Sequence, residues 1–312
     1  MRSKISMGMA LAVLLLMMCA GVAMAQQTSG QALTALDKTA AVEKYFYGTE
    51  QSGALTERIT KLEKDVYGTE SKDALLNKVD RLYAYMANNT PTESSFIMKL
   101  NAVEWALTHA VTAEPAKARL DNLERVLVGN SSVGDFDSRL TKLAKLSFVN
   151  GQINAQATPV MKDSLVKIKM ISPLDTRTSK AGDIVVFQAA EDVLAGDTLI
   201  IAKGALGHGT VTKVERSKNF GRDAKLEVAF DAITALDGSP VDTLLGEKAK
   251  EQTRSMAKAA GASVAGMFVL GPIGVVGGAF IHGEEVTMPA GTELYIQTKS
   301  DTEVYGMPVS KQ

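Results

Sequence analysis

Val42–Ile59 reads VEKYFYGTEQSGALTERI, and Leu62–Val79 reads LEKDVYGTESKDALLNKV. Tyr47-Gly48-Thr49-Glu50 returns as Tyr67-Gly68-Thr69-Glu70, 20 residues later. The same frame places Val42, Leu62, Leu82, Val103, Leu123 and Leu143 at one equivalent position, with spacings of 20, 20, 21, 20 and 20. A fixed period of this length marks a repeat array, whose units cannot bury their apolar faces alone. Glu43, Glu63, Glu104 and Glu124 directly follow four of the six apolar residues, and Arg58, Arg119 and Arg139 stand four positions before three of them.

Inside one unit, Leu55, Ile59, Leu62 and Val66 are separated by 4, 3 and 4 residues, which is one apolar stripe on a helix. Phe96, Leu100, Val103 and Leu107 repeat the spacing, and Phe136, Leu140 and Leu143 begin it again. Gly48, Gly68 and Gly129 lie just past the stripes, where a left-handed helix cap favours glycine. Each unit is therefore expected to be a helix of about 13 residues and a short turn. Such a helix is marginal alone and must pack on neighbouring units or on another copy. The favoured arrangement is a set of short antiparallel helices. The alternative, fusion into longer rods, would let a heptad stripe slip in phase over the period. Asn88-Asn89-Thr90-Pro91-Thr92 is a polar break between the first three units and the last three. Trp105, His109 and Tyr83-Ala84-Tyr85 read as packing and turn residues, with a binding groove as the other reading. This half reads as a spacer or assembly module.

The first 25 residues read as an export signal: Arg2 and Lys4, an apolar stretch from Met9 to Met18, then Ala23-Met24-Ala25. Cys19 is preceded by Met17 and Met18 rather than small residues, so cleavage after Ala25 is expected instead of lipidation. Cleavage removes the single cysteine, which excludes internal disulfides, iron–sulfur clusters and Cys-ligated zinc. It also removes two positive charges, leaving 32 basic against 35 acidic residues. That balance gives no electrostatic reason to expect nucleic acid.

Beyond a polar stretch at 150–162, read as a linker, the period changes from 3.6 to 2. Val166, Ile168 and Met170 alternate with Lys167 and Lys169. Turns at Gly182, Gly196 and Gly204 separate further short runs, and Asp237-Gly238 is a hairpin signal. The expected fold class is α+β multidomain. A signal at 1–25 precedes helical repeats at 26–149, and the linker leads to a small β-barrel or sandwich at 163–312.

That β domain is interrupted at 258–283. Ala259–Ile281 carries no charge and six glycines, and as one helix it would extend about 34 Å, enough to cross a bilayer core of ~30 Å. Pro272 after Gly271 divides it, which leaves a kink or a hairpin as open as a straight helix; the expected insertion is a helical hairpin. Gly261 with Ala265, Ala262 with Gly266, and Gly274 with Gly278 form small-xxx-small pairs, and Gly271 precedes the proline. Bare backbone at that spacing lets helices approach closely. Gly261, Ala265, Gly266, Gly271, Gly274 and Gly278 are accordingly the candidate membrane or oligomerisation residues, and Leu55, Ile59, Leu62, Val66, Leu123 and Leu143 the repeat core.

The run resembles glycine-zipper segments of bacterial envelope proteins. KLEVAFDAITALDGSPVDTLL before it, PAGTELYIQTKSDTEVYG after it, and the Glu191–Val193 to Gly209 stretch are similar to the outer-membrane barrel scaffold of type IV secretion systems. That resemblance covers about 140 residues and implies a barrel with an apolar inserted hairpin. The expected export signal stands where that family has an inner-membrane anchor and a proline-rich arm. The tyrosine-glycine repeats resemble those of surface proteins from diderm bacteria.

No catalytic, cofactor or metal residues are expected. His109, His208 and His282 lack ligand spacing, nothing draws Glu191-Asp192 and Asp231 together, and Gly204–Gly209 lacks the ending of a phosphate-binding loop. Lys213, Arg216, Lys218, Arg222 and Lys225 read as a solvated hairpin tip. The functional expectation is a non-enzymatic envelope assembly protein that self-associates or meets the outer membrane or other envelope proteins. Its rivals are a soluble periplasmic binding module, with the hairpin packed internally and a ligand in the barrel, and a cell-wall hydrolase.

Overall fold

The computed structural model describes residues 32–216, 224–259, 278–283 and 286–309. The chain separates into two units, Met1–Gln156 and Ala157–Gln312.

The first unit contains α1 (Ala35–Tyr47), α2 (Leu55–Tyr67), α3 (Leu75–Ala87), α4 (Phe96–Thr108), α5 (Ala116–Val128) and α6 (Phe136–Ser147), with a short 3-10 turn at Val149–Gly151. The first five are 13 residues long and the sixth 12. Gly48, Gly68 and Gly129 close α1, α2 and α5 with φ of 86°, 75° and 85°, which only glycine adopts cheaply. His109 takes the same left-handed role after α4, with φ 54°, and Asn88 ends α3 in extended conformation. At the other end, Thr34, Ser95 and Asp135 accept the N–H three residues on, satisfying one of the free donors of a helix start.

The stripes meet within this chain. α1 packs on α3 and α4 on α6, while α1 also touches α5 and α2 touches α6. Ile59, Leu62, Val66, Leu123 and Leu143 are buried in one cluster with residues from every helix, and Leu55 packs against it half-exposed. Phe46 sits among the ends of three helices, its ring centroid 4.9 Å from Phe96 and 5.2 Å from the stacked Phe136. No rod is formed, and no second copy is needed to cover the stripes.

The second unit contains β1 (Gln156–Val160), β2 (Leu165–Met170), β3 (Leu174–Asp175), β4 (Ile184–Ala189), β5 (Val193–Ala195), β6 (Thr198–Ile201), β7 (Leu206–Glu215), β8 (Ala224–Thr234) and β9 (Pro240–Leu244). Then follow α7 (Glu247–Ala259), β10 (Gly278–Gly283), β11 (Thr287–Met288), β12 (Glu293–Thr298) and β13 (Thr302–Pro308). Strands β8, β7, β4, β2, β12 and β9 neighbour one another in that order, and the pairing of β9 with β8 closes them into a six-stranded barrel. β1, β13, β6 and β5 form a separate small sheet, and β3 pairs with β11. β1 lies inside the stretch read as a linker: its polar residues conceal the alternation of buried Thr158 and Val160.

Side chains fill the barrel. Val166, Ile168, Phe187, Val211, Leu226, Val228, Phe230 and Ile296 are all buried, and the Phe187 and Phe230 rings meet edge-on at 5.4 Å. A Cβ on Gly207 would lie 2.1 Å from Phe187 Cε2, and one on Gly209 would lie 2.2 Å from the Ala229 carbonyl oxygen. The glycines of Gly204–Gly209 thus include two that make room for a ring and a neighbouring backbone. Asp237-Gly238 forms the expected turn between β8 and β9, and buried Asp237 accepts from Ser239 N and Tyr305 N.

One part of the expected insertion differs. Gly278 is not on a helix: β10 pairs antiparallel with β8, Gly278 opposite Ala229 and Gly283 opposite Ala224. The reason lies in β8. Its 11 residues exceed the reach of β9, which covers only Ala232–Thr234. The N-terminal half of that edge must hydrogen-bond elsewhere, and Gly278–Gly283 supplies the partner.

Candidate functional site

Two places in the structure depart from the regularity around them, one in each unit. The first is the seam of the barrel. β9 meets β12 through only two residue pairs, Leu244 with Gln297 and Thr243 with Thr298. Further along β12, helix α7 takes the place of a strand. Tyr295 N donates to Thr253 Oγ1 at 2.9 Å, and Gln297 Oε1 accepts from Ala249 N at 3.1 Å. Gln297 Nε2 donates to Asp163 Oδ1, and Lys248 Nζ donates to the Asp163 carbonyl. A Cβ on Gly246 would come within 2.3 Å of Gln297 Cδ, so the chain enters α7 through a position where glycine clears that side chain. Ala249, Lys250 and Thr253 are the buried residues of this highly charged helix, and Lys250 Nζ pairs with Glu247 at 3.0 Å.

The glycine-rich stretch therefore has two fixed ends. It begins where α7, bonded to β12, finishes at Ala259, and it ends where β10 joins β8. Gly261, Ala265, Gly266, Gly271 and Gly274 lie outside the described residues, and Gly278 opens β10. Among the described residues no helix is long and apolar enough to cross a membrane.

The second place is in the repeat array. Glu43, with 0% exposure, accepts from Arg58 Nε and Nη2 at 2.9 and 2.6 Å, and from Gln51 N at 2.9 Å. Glu104 takes Arg119 Nε and Nη2 at 2.9 and 2.5 Å with Thr112 N at 3.0 Å. Glu124 takes Arg139 Nε and Nη2 at 3.0 and 2.8 Å with Ser132 N at 2.6 Å. Glu63 pairs with Lys78 Nζ at 3.0 Å, accepts from Ser71 Oγ, and also receives Arg81. Each junction is thus clasped by a buried carboxylate, a donor eight residues on and a cation fifteen residues on. A buried carboxylate persists only when paired and hydrogen-bonded, and the frame supplies both partners from one unit to the next.

The third unit lacks the clasp at all three points. Tyr83 stands where the carboxylate belongs, and Pro91, which has no N–H, stands eight residues on; because the spacing here is 21 rather than 20, Lys99 lies sixteen residues past Tyr83 but four before Val103, as the arginines stand before their striped residues. Lys99 Nζ lies 5.9 Å from the Tyr85 ring centroid, and no carboxylate among the described residues is within ion-pair distance of it. The Tyr85 hydroxyl donates to Asp137 at 2.5 Å. Burial and that carboxylate both hold the Tyr85 phenol well above its ordinary range. Two cavities flank the Thr90–Ser94 turn: one of about 570 Å³ lined by Tyr67, Arg81 and Tyr85, and one of about 440 Å³ lined by Lys99, Asp137 and Thr141.

The other singled-out residues have local roles. His109 caps α4 and meets Trp105 edge-on at 5.8 Å. Asp192 accepts from Lys203 N, and Asp231 accepts from Thr210 Oγ1. Lys213 pairs with Glu215 at 2.6 Å and Arg216 donates to the Arg177 carbonyl, while Lys218 and Arg222 lie outside the described residues. Among the described residues no three His, Cys, Asp or Glu side chains group as a metal site.

Fold and sites together define a two-unit α+β protein: a six-helix repeat array with one interrupted clasp, and a six-stranded barrel with a helix-covered seam. No family model matches the chain, and no curated protein matches it. Among solved structures, ComB10 of the Com type IV secretion system of Helicobacter pylori is similar over 46% of this chain and 88% of that one. The TM-score is 0.26 and the identity 14%, a superposition too loose to bear on function.

Proposed function

We propose that this protein is a non-enzymatic scaffold of a bacterial envelope, in which the glycine-rich connection between α7 and β10 contacts a neighbouring copy or the outer membrane. The observation that carries the reading is the anchoring of both ends of that connection. Thr253 ties α7 to β12, and six residues of β10 pair with β8. The barrel interior is already filled by Phe187, Phe230 and the aliphatic residues around them, so the charge-free run is not required as barrel core. Bare backbone at Gly261, Gly266, Gly271 and Gly274 then serves close approach to an outside surface. The filled interior also weighs against the rival reading of a binding module with its ligand inside the barrel.

The test is fractionation of the exported chain, followed by light scattering. Retention in the membrane fraction, or a particle larger than one chain, is expected. Gly271→Leu with Gly274→Leu should release or dissociate it by holding the backbones apart. A soluble monomer without detergent, unchanged by these substitutions, contradicts the proposal.

A further inference from the structure

The interrupted clasp leaves charges that the other junctions do not leave. At four junctions the cation fifteen residues past the glutamate is consumed by that glutamate. At the third, where the frame is one residue longer, Lys99, four residues before Val103, keeps its charge with Tyr83 in place of the carboxylate and Pro91 eight residues beyond it. Its neighbours in the 440 Å³ cavity include Glu93 and Asp137, and neither carboxylate has a cation within ion-pair distance among the described residues. Asp137 accepts from the Tyr85 hydroxyl, and Glu93 is exposed on the turn that separates the two cavities. Thr141, Gln152 and Asn154 add neutral donors and acceptors. The volume falls in the range of small-ligand pockets, roughly 300–1,000 Å³.

This charge set selects among ligands. A simple anion would meet Lys99 but face two carboxylates of its own sign. A metal ion would meet the carboxylates but be opposed by Lys99, and a neutral sugar would leave all three charges unanswered. A small zwitterion matches both signs. We propose that this cavity binds a short peptide or free amino acid by its two charged ends, the carboxylate on Lys99 and the ammonium on Glu93 and Asp137. The ligand's carboxylate gives Lys99 the kind of partner that Glu43, Glu104 and Glu124 give their arginines, and charge-assisted hydrogen bonds fix its orientation. The site belongs to the helical unit and is independent of the glycine-rich connection, so either proposal can fail without the other.

The experiment is a titration of the full exported chain with Ala-Ala, followed by amide NMR shifts and repeated with N-acetyl-Ala-Ala and Ala-Ala-amide. Free Ala-Ala is expected to shift the Lys99, Thr141 and Gln152 amides saturably. Blocking either end should weaken binding about tenfold, the loss of one charge-assisted contact. Lys99→Met should bind the free peptide and its amide equally, and Glu93→Gln with Asp137→Asn should no longer distinguish the free peptide from its N-acetyl form. The helical circular dichroism of each variant establishes that it is folded. No saturable shift, equal binding of all three peptides, or discrimination against Ala-Ala-amide that survives in Lys99→Met would overturn the proposal.

Discussion

The helical unit and the β unit close their cores by opposite means. In the helices every stripe finds partners a few tens of residues away, and the polar seals are part of the period: Glu43, Glu104 and Glu124 each find their donor and arginine at fixed offsets. In the barrel the seal is made once and across long sequence distances. β2 pairs with β12, and the exposed edge of β12 is satisfied by a threonine on α7. Repetition makes a polar core affordable, because each ion pair is specified by the same frame that specifies the apolar stripe. A unique seam has no frame to lean on, and it relies on single residues such as Thr253 and Gly246.

That difference can be broken from either side. The largest expected effect is at a clasp. Glu104→Ala leaves Arg119, only 4% exposed, buried without its carboxylate, and should cost the helical unit about 3–5 kcal/mol in urea unfolding followed at 222 nm. Glu104→Leu combined with Arg119→Met should cost less than Glu104→Ala alone, since it removes both charges. An additive double variant would show that the pair is not one unit. Next in size is Gly207→Ala, whose methyl would collide with the Phe187 ring. It should destabilise the β unit by about 1–3 kcal/mol and leave the helical transition in place. A shift of both transitions together would deny that the two units are separate.

The smallest effect is that of pH. Burial pushes Glu124 up, but hydrogen bonds from Arg139 and the Ser132 N–H outweigh it and hold the carboxyl below its usual range. Asp121 behaves alike: burial raises it, and Arg139 and Lys117 lower it further. Carboxyls depressed in the folded state stabilise it above their unfolded values, roughly pH 4. That contribution is lost as the pH falls through the folded values. The helical melting temperature should therefore drop on acidification, and Glu124→Gln with Asp121→Asn should flatten the drop. A melting temperature that rises on acidification would contradict the clasp account.

Much of this contrast is legible in the sequence, unevenly. The frame of Val42, Leu62 and their equivalents, and the caps at Gly48, Gly68 and Gly129, could be read because local geometry sets them. The glutamates and arginines were visible at fixed positions, but their pairing was not: the stripe says which face is buried, not which neighbouring helix it meets. The offset of fifteen residues, repeated at four junctions, was the available signal, and its break at Tyr83 and Pro91, where the spacing lengthens to 21 and Lys99 falls sixteen residues on, was equally open to inspection. In the β unit alternation located β2, and Asp237-Gly238 located a hairpin. Strand order, the helix at the seam and the role of Gly207 depend on contacts between distant residues that periodicity does not encode. Gly278–Gly283 reads as the end of a helical insertion because a glycine-rich apolar run has no alternation to reveal the strand.

The most direct measurement concerns the connection itself. Residues 260–277 would be replaced by a Gly-Ser linker of equal length, and the β unit's thermal transition recorded beside the size of the particle in solution. The account predicts an unchanged transition, because β10 and α7 keep their bonds to β8 and β12, together with loss of self-association or membrane retention. A β unit that unfolds, or one whose association is untouched, would show that the connection serves its own barrel and no neighbour.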